Sequence, residues 1–376
     1  MRVLLLIFAA LAAANGANLK EIHPANAAKP IGPYVPGIEA GEHVYVSGQG
    51  ARDAAGNLPA GIEQQTRQCL TNVQDILKAA GLTMEHVVWA QVFLSNVKDH
   101  QAVNKVYASF FPKNPPARSL IAVHRMPGET PVEIAVVAIR NLKQKTTINV
   151  TNPLEPVSAA VQTPDRTYIS GVLGLDGKRA VPAQPREQVT TLITQMRAVL
   201  AKSGLELRNM AYAHVYVDQK MPLKVLGELL NEVLPTETAL SVIQTAALPH
   251  GAHIEISGVA SRTAKRQGDC TSLGETLYCA GAAGTIDQAL QRVKGNLASA
   301  GLKPDRVVVS NVYLDDIDNF AAMNKIYAGF FGNWRPTRVT VQPTRREQEL
   351  NLAPGTNTPA ANPGNPRAHV TVIAVR

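Results

Sequence analysis

A threefold internal repeat limits this chain more than any other feature. The segment Gly41-Glu42-His43-Val44-Tyr45-Val46-Ser47-Gly48 returns as Gly274-Glu275-Thr276-Leu277-Tyr278-Cys279-Ala280-Gly281, and more faintly as Asp165-Arg166-Thr167-Tyr168-Ile169-Ser170-Gly171. Each is a period-2 strand ending in glycine. An amphipathic helix follows each strand and closes on a small residue and Gly-Leu, at Ala80-Gly81-Leu82, Ser203-Gly204-Leu205 and Ala300-Gly301-Leu302. Glycine there signals a helix C-cap. Next come strands around Val92, Val215 and Val312, a second helix at 103–111, 225–233 and 323–331, and closing strands at 132–140, 254–262 and 370–376. The expected order in each copy is β-β-α-β-α-β-β.

The spacing fixes the register. Gly48 and Gly171 are 123 residues apart, as are Val92 and Val215. The third copy lies 110 residues beyond the second at Gly281 but 97 at Val312, so it lacks the loop that 51–61 makes in the first copy. Residues 343–366, rich in Pro, Asn and Thr, interrupt its last hairpin and read as an inserted loop. The boundaries that follow are 20–142, 150–262 and 266–376, with joining segments at 141–151 and 263–267. Linkers this short imply modules packed side by side.

The first 17 residues differ from the rest. Arg2 precedes the apolar run Val3 to Ala14, and small residues end it, the order of a secretory signal peptide, so an exported, periplasmic or secreted protein is expected. No interior apolar run is long enough for a membrane helix, so no membrane association is expected after cleavage. Export allows disulfides among Cys69, Cys270 and Cys279. Cys270 and Cys279 flank a hairpin turn signal that can set them opposite each other, whereas Cys69 lies in a helical pattern and reads as a buried, inert thiol. The net charge of +8 comes from scattered basic residues and selects no partner by itself.

Taken together, Gly32-Pro33-Tyr34, Val46-Ser47-Gly48-Gln49, Val103-Asn104, Pro116-Ala117-Arg118-Ser119 and Val132-Glu133-Ile134 resemble the Rid family. These are the reactive intermediate deaminases, also called YjgF-like proteins and often labelled L-PSP endoribonucleases. The resemblance spans the first copy from about Ile22 to Leu142 and extends more loosely over the other two. It implies an α+β fold similar to chorismate mutase, a sheet with two helices on one face, and a homotrimer with ligand clefts between subunits. Three joined copies would then make a monomeric pseudo-trimer from one chain.

The resemblance also implies cofactor-independent hydrolysis of small enamines or imines of 2-oxo acids, with release of ammonia. Arg118 matches the family's carboxylate-binding arginine, a role suited to a planar fork of donors. Glu133 matches the carboxyl group that relays protons between water and the nitrogen. Tyr34, Ser47, Gly48 and Asn104 match cleft-lining positions and are expected to bind substrate. Alone, Arg118 reads as a surface cation and Glu133 as a solvent-facing strand residue; their occurrence together in family order favours the site.

The other copies depart from this pattern. In the second, Val157 stands for the tyrosine, the arginine's place falls between Thr238 and Leu240, and Glu255 keeps the acid. In the third, Arg338 and Asn324 are kept as substrate-binding candidates, Gln267 stands for the tyrosine, and His369 or a near neighbour stands for the glutamate. The expectation is one complete cleft around Arg118, one that only binds around Arg338, and one dead cleft, with the contributing neighbours left open. His250 and His253 read as a solvated loop, and no metal site is expected. Two other functions stay open: a binder of small carboxylates or of a protein partner, recognised by binding without ammonia release, and a ribonuclease, for which aromatic stacking platforms are missing.

Overall fold

The computed structural model describes residues 17–150, 153–345 and 364–376. Most of the expected signal segment, and most of the expected inserted loop, lie outside the described residues.

The first module runs β1 (Leu19–Ile22), β2 (Gly37–Ala40), β3 (His43–Gly50), α1 (Ile62–Ala79), β4 (Val87–Leu94), α2 (His100–Phe110), β5 (Ala117–Ala122) and β6 (Val132–Ile139). The second repeats it as β7 (Thr146–Ile148), β8 (Ala160–Gln162), β9 (Thr167–Leu173), α3 (Pro185–Lys202), β10 (Met210–Val217), α4 (Leu223–Val233), β11 (Ala239–Gln244) and β12 (Ile254–Ala260). The third is β13 (Lys265–Gln267), β14 (Cys270–Leu273), β15 (Thr276–Thr285), α5 (Ile286–Ser299), β16 (Val307–Leu314), α6 (Phe320–Phe331), β17 (Thr337–Val341) and β18 (Arg367–Val375). The three sheets share one strand order, which in the first is β1-β2-β3-β6-β4-β5. All pairs are antiparallel except β4 with β5 and its two counterparts.

Each copy opens with one more strand than the sequence reading allowed, and this corrects the boundaries. Thr146–Ile148 and Lys265–Gln267, read as linker, pair as edge strands of the second and third sheets. A linker this close to an open edge has unpaired backbone groups, and pairing satisfies them. The missing 51–61 loop is visible as β15 running straight into α5.

Helix α1 buries Thr66, Cys69, Leu70, Val73, Ile76 and Leu77, a single stripe at helical spacing, against its own sheet. It stops because Gly81 takes a positive φ of 75°, which lets Leu82 N–H reach Leu77 O at 2.8 Å and Gly81 N–H reach Lys78 O at 2.9 Å. The same 6→1 bond closes α3 at Leu205 and α5 at Leu302. Cys270 and Cys279 are direct cross-strand partners on β14 and β15 and form a disulfide, while Cys69 is free and buried.

The faces not covered by helices meet one another. Tyr45, Trp89, Tyr168, Tyr212, Tyr278 and Val308, drawn from all three sheets, share one core, and Phe93, Tyr216 and Tyr313 share another. Gln91 and His214 occupy matching positions of β4 and β10 at the centre, with Gln91 Nε2 3.2 Å from His214 Nδ1. Burial drives His214 down to about 3, so the ring is neutral in the interior.

The ring closes through strand β5 against β9, β11 against β15 and β17 against β3. Hydroxyl groups bridge two of these joints. Ser170 Oγ accepts from Arg118 N at 2.8 Å and donates to Ser158 O, and Ser47 Oγ accepts from Arg338 N at 2.9 Å and donates to Val35 O. No described helix is long and apolar enough to cross a membrane.

Candidate active site at the module interfaces

Every cleft takes its arginine position from one module and its acid position from the next, and this reverses the expected pairing. Arg118 on β5 faces Ser170, Gly171 and Glu255 of the second module. Arg338 on β17 faces Tyr34, Gly48 and Glu133 of the first. Arg118 and Glu133 therefore sit in different clefts. Within one sheet β4 lies between them, with Ala90 opposite Arg118 and Phe93 opposite Glu133. Two strand spacings of about 4.8 Å, plus three residues along the strand, are too far for one small substrate to span.

The Arg338 cleft, a cavity of about 470 Å³, brings together Tyr34, Gly48, Glu133, Phe320 and Arg338. A β-bulge at Ser47-Gly48 interrupts the pairing of β3 with β6 and turns the backbone toward the cavity. Gly48 is required there, because a Cβ would lie 1.9 Å from Glu133 Oε1. The same space rule holds at Gly171, against Glu255, and at Gly281, against His369.

Arg338 is 3% exposed and its guanidinium is held by aromatic faces, with Cζ 5.1 Å from the Tyr34 ring centre, 4.9 Å from Tyr327 and 5.4 Å from Phe320. Its side chain has no carboxylate within ion-pair distance among the described residues. Asn324 Oδ1 beside it is buried and unpartnered. Gly32 lies against both, since a Cβ there would come within 2.3 Å of Arg338 Nη2 and 2.9 Å of Asn324 Oδ1. Burial lowers the arginine's pKa and raises that of Glu133 to about 8, the latter partly offset by Arg338. At neutral pH the site thus holds a protonated carboxyl beside a cation with no carboxylate partner among the described residues.

The Arg118 cleft has the same frame with its cation already answered. Arg118 Nη2 donates to Asn104 Oδ1 at 2.8 Å and to Glu155 Oε2 at 2.9 Å, and the guanidinium stands 4.6 Å over the Tyr107 ring. Asn104 Nδ2 donates to the same Glu155 oxygen. Glu155-Pro156-Val157 occupies the place of Gly32-Pro33-Tyr34 in the first module, so a carboxylate replaces the glycine that leaves Arg338 bare. Glu255 is raised to about 8 by burial and accepts from Ser119 Oγ at 2.6 Å. The cavity is larger, about 620 Å³.

The third interface has neither group. Leu240 stands at the arginine position on β11, and His369 at the acid position on β18 is 3.0 Å from Ser241 Oγ and pushed down to about 4 by burial. Gln267, expected at the tyrosine position, accepts instead from Arg376 Nη2 at 3.0 Å.

Of the sequence-derived residues, Tyr34, Ser47, Gly48 and Glu133 assemble with Arg338 and Asn324, and Asn104 stays with Arg118. The expectation of a complete Arg118 cleft and a binding-only Arg338 cleft is corrected: the cation and the acid that share a site are Arg338 and Glu133. Glu155 was missed, although aligning Gly32 with Glu155 across the 123-residue repeat contains the signal. Glu155→Gly is expected to free Arg118. In a calorimetric titration with pyruvate, the stoichiometry should rise from one toward two sites per chain, and an unchanged value would mean that Glu155 does not block the cleft.

Comparison with known proteins agrees with the threefold division. The family model described as endoribonuclease L-PSP matches residues 24–140, 147–262 and 270–352. A RutC family protein of Saccharolobus solfataricus is 42% identical over 114 residues, 30% of this chain and 90% of the relative. The 2-iminobutanoate/2-iminopropanoate deaminase of Escherichia coli is 38% identical over 125 residues, 32% of this chain and 98% of the relative. Among solved structures, E. coli TdcF with bound serine is 36% identical, covering 32% of this chain and 99% of that one with a TM-score of 0.32. Each of these relatives is one module long.

Proposed function

This chain belongs to the endoribonuclease L-PSP family, and from that premise we propose that its Arg338–Glu133 cleft hydrolyses imines of small 2-oxo acids to the oxo acid and ammonia. The observation that carries the reading is the buried guanidinium of Arg338, which has no counter-ion among the described residues and lies beside a carboxyl raised to about 8. Burying an unpaired cation costs stability, so it is retained where a ligand supplies the anion. The similarity of about one module's length of this chain to a 2-iminobutanoate/2-iminopropanoate deaminase supports the same class of substrate.

In this reading the substrate carboxylate takes both guanidinium donors of Arg338 and fixes the C=N carbon in front of Glu133. Protonated Glu133 gives its proton to the imine nitrogen while water adds to the carbon, and the resulting carboxylate accepts a proton from that water. Transfer of that proton to the amine nitrogen then lets ammonia leave, and as the carbonyl forms the hydroxyl gives its proton to the Glu133 carboxylate, which returns the acid to its starting state. One chain supplies both halves of the cleft, so a monomer suffices. We propose that the reaction takes place after export, in keeping with the N-terminal segment.

Ammonia release from freshly generated 2-iminopropanoate and 2-iminobutanoate tests the proposal. Acceleration well above buffer is expected; binding of pyruvate without acceleration would leave a carboxylate-binding module instead.

A further inference from the structure

Three side chains outside the Arg338 cleft converge at the joint between the first and second modules. His100 begins α2, Glu155 lies on the segment before β8, and His250 lies on the turn before β12. One ligand atom from each lies within 4.8 Å of the other two, and all three residues are partly buried. His250 Nε2 is 2.6 Å from Glu155 Oε1, and the two imidazole rings stand edge to face with centres 4.9 Å apart. We propose that His100, Glu155 and His250 bind one divalent transition-metal ion, with zinc the best chemical match, across this joint.

Two nitrogen donors and one carboxylate suit zinc, which accepts three protein ligands and leaves a fourth position open. A tetrahedral ion with bonds of about 2.0–2.1 Å holds its donors roughly 3.4 Å apart, so sub-ångström to ångström shifts of the side chains suffice. The surrounding bonds already orient the donors. His100 Nδ1 lies 3.0 Å from Val97 O, the arrangement in which Nδ1 carries the proton, and the Nε2 lone pair accepts from the exposed amide of Gln101 at 2.8 Å, which an ion would displace. Glu155 Oε2 is fixed by Arg118 and Asn104, and Oε1 is held by His250 Nε2, so an ion would take the place of the proton shared in that contact and release it to solvent.

The backbone adds an independent observation. His250 has a φ of 58°, the left-handed conformation that Gly128 adopts at the matching turn of the first module with φ 68°, while the next position reverses the pair, with Glu129 at φ 52° against Gly251 at φ 72°. A histidine there is strained where glycine is not, and the turn so formed brings its ring to Glu155. Glu155 likewise stands where the first module has Gly32. Both departures from glycine therefore lie in one cluster. A bound ion would staple the two modules and hold Glu155 over Arg118.

The test uses untagged protein stripped with a chelator and then titrated with Co²⁺, followed by visible absorption, and with Zn²⁺, followed by calorimetry. One ion per chain with the absorption of four-coordinate Co²⁺, displaced by Zn²⁺, is expected. His250→Gly, which relaxes the turn and so should fold, and His100→Gln should each weaken binding at least about tenfold. Thermal unfolding without metal serves as the folding control. Failure of the unaltered protein to bind, or binding that persists in both variants because the ion sits elsewhere, would overturn the proposal.

Discussion

Arg338→Met is expected to lower kcat/KM for ammonia release by about 10³-fold, whereas Arg118→Met should leave it within about threefold. A charge-assisted, two-pronged grip that also orients the reacting carbon contributes about 4 kcal/mol of transition-state stabilisation, which corresponds to that factor. Methionine replaces the buried stem without the charge. Arg338→Lys should fall between, because an ammonium retains the attraction and loses the fork. The same substitution reports on stability with the opposite sign. Arg338 is a buried cation without a counter-ion among the described residues, so Arg338→Met should unfold no earlier than the unaltered protein. Arg118→Met takes the arginine from Glu155, leaving it Asn104 and His250, and should unfold earlier. Selective loss with Arg118→Met would return the active cleft to the joint between the first two modules and defeat the assignment made from Glu133 and Gly32.

The repeat made the fold readable because its signals are local. Glycines 81, 204 and 301 end helices through bonds closed within six residues, and the Cys270–Cys279 pair follows from a short hairpin. The edge strands Thr146–Ile148 and Lys265–Gln267 were not readable, since three residues show no periodicity and gain their pairing from a neighbour. The cleft failed for a related reason. Arg118 and Glu133 are close in sequence and matched one motif, but β5 is an edge strand whose side chains reach the adjacent module. A motif read along one copy reports the right residue types and pairs them wrongly when the site is shared. His250 and His253 show the same limit. His253 turns to Asp218 at 2.8 Å, while His250 turns to Glu155 and to His100 of another module, so the two-residue spacing carried no information about either.

Glu133→Gln should reduce kcat by about 10² to 10⁴-fold while preserving pyruvate binding, because the amide fills the space left by Gly48 but cannot pass a proton. The pH profile distinguishes this from a structural effect. Burial raises Glu133 to about 8, and the protonated form starts the reaction, so kcat/KM should be level below that pH and fall about tenfold per unit above it. When a substrate carboxylate pairs with Arg338, the nearby positive charge that had lowered the Glu133 pKa is neutralised. The descending limb of kcat should therefore lie at higher pH than that of kcat/KM. Stability moves with the same proton. A carboxyl raised above its unfolded value of about 4.5 contributes stability that is complete below about 4.5 and is lost as pH rises through about 8. The unaltered protein should thus lose thermal stability between pH 5 and 9, and Glu133→Gln should lose less. Glu255 carries the same liability at about 8, so the double substitution Glu133→Gln with Glu255→Gln should flatten the curve further. An activity limb that survives in Glu133→Gln would assign the proton to another group and remove this residue from the chemistry.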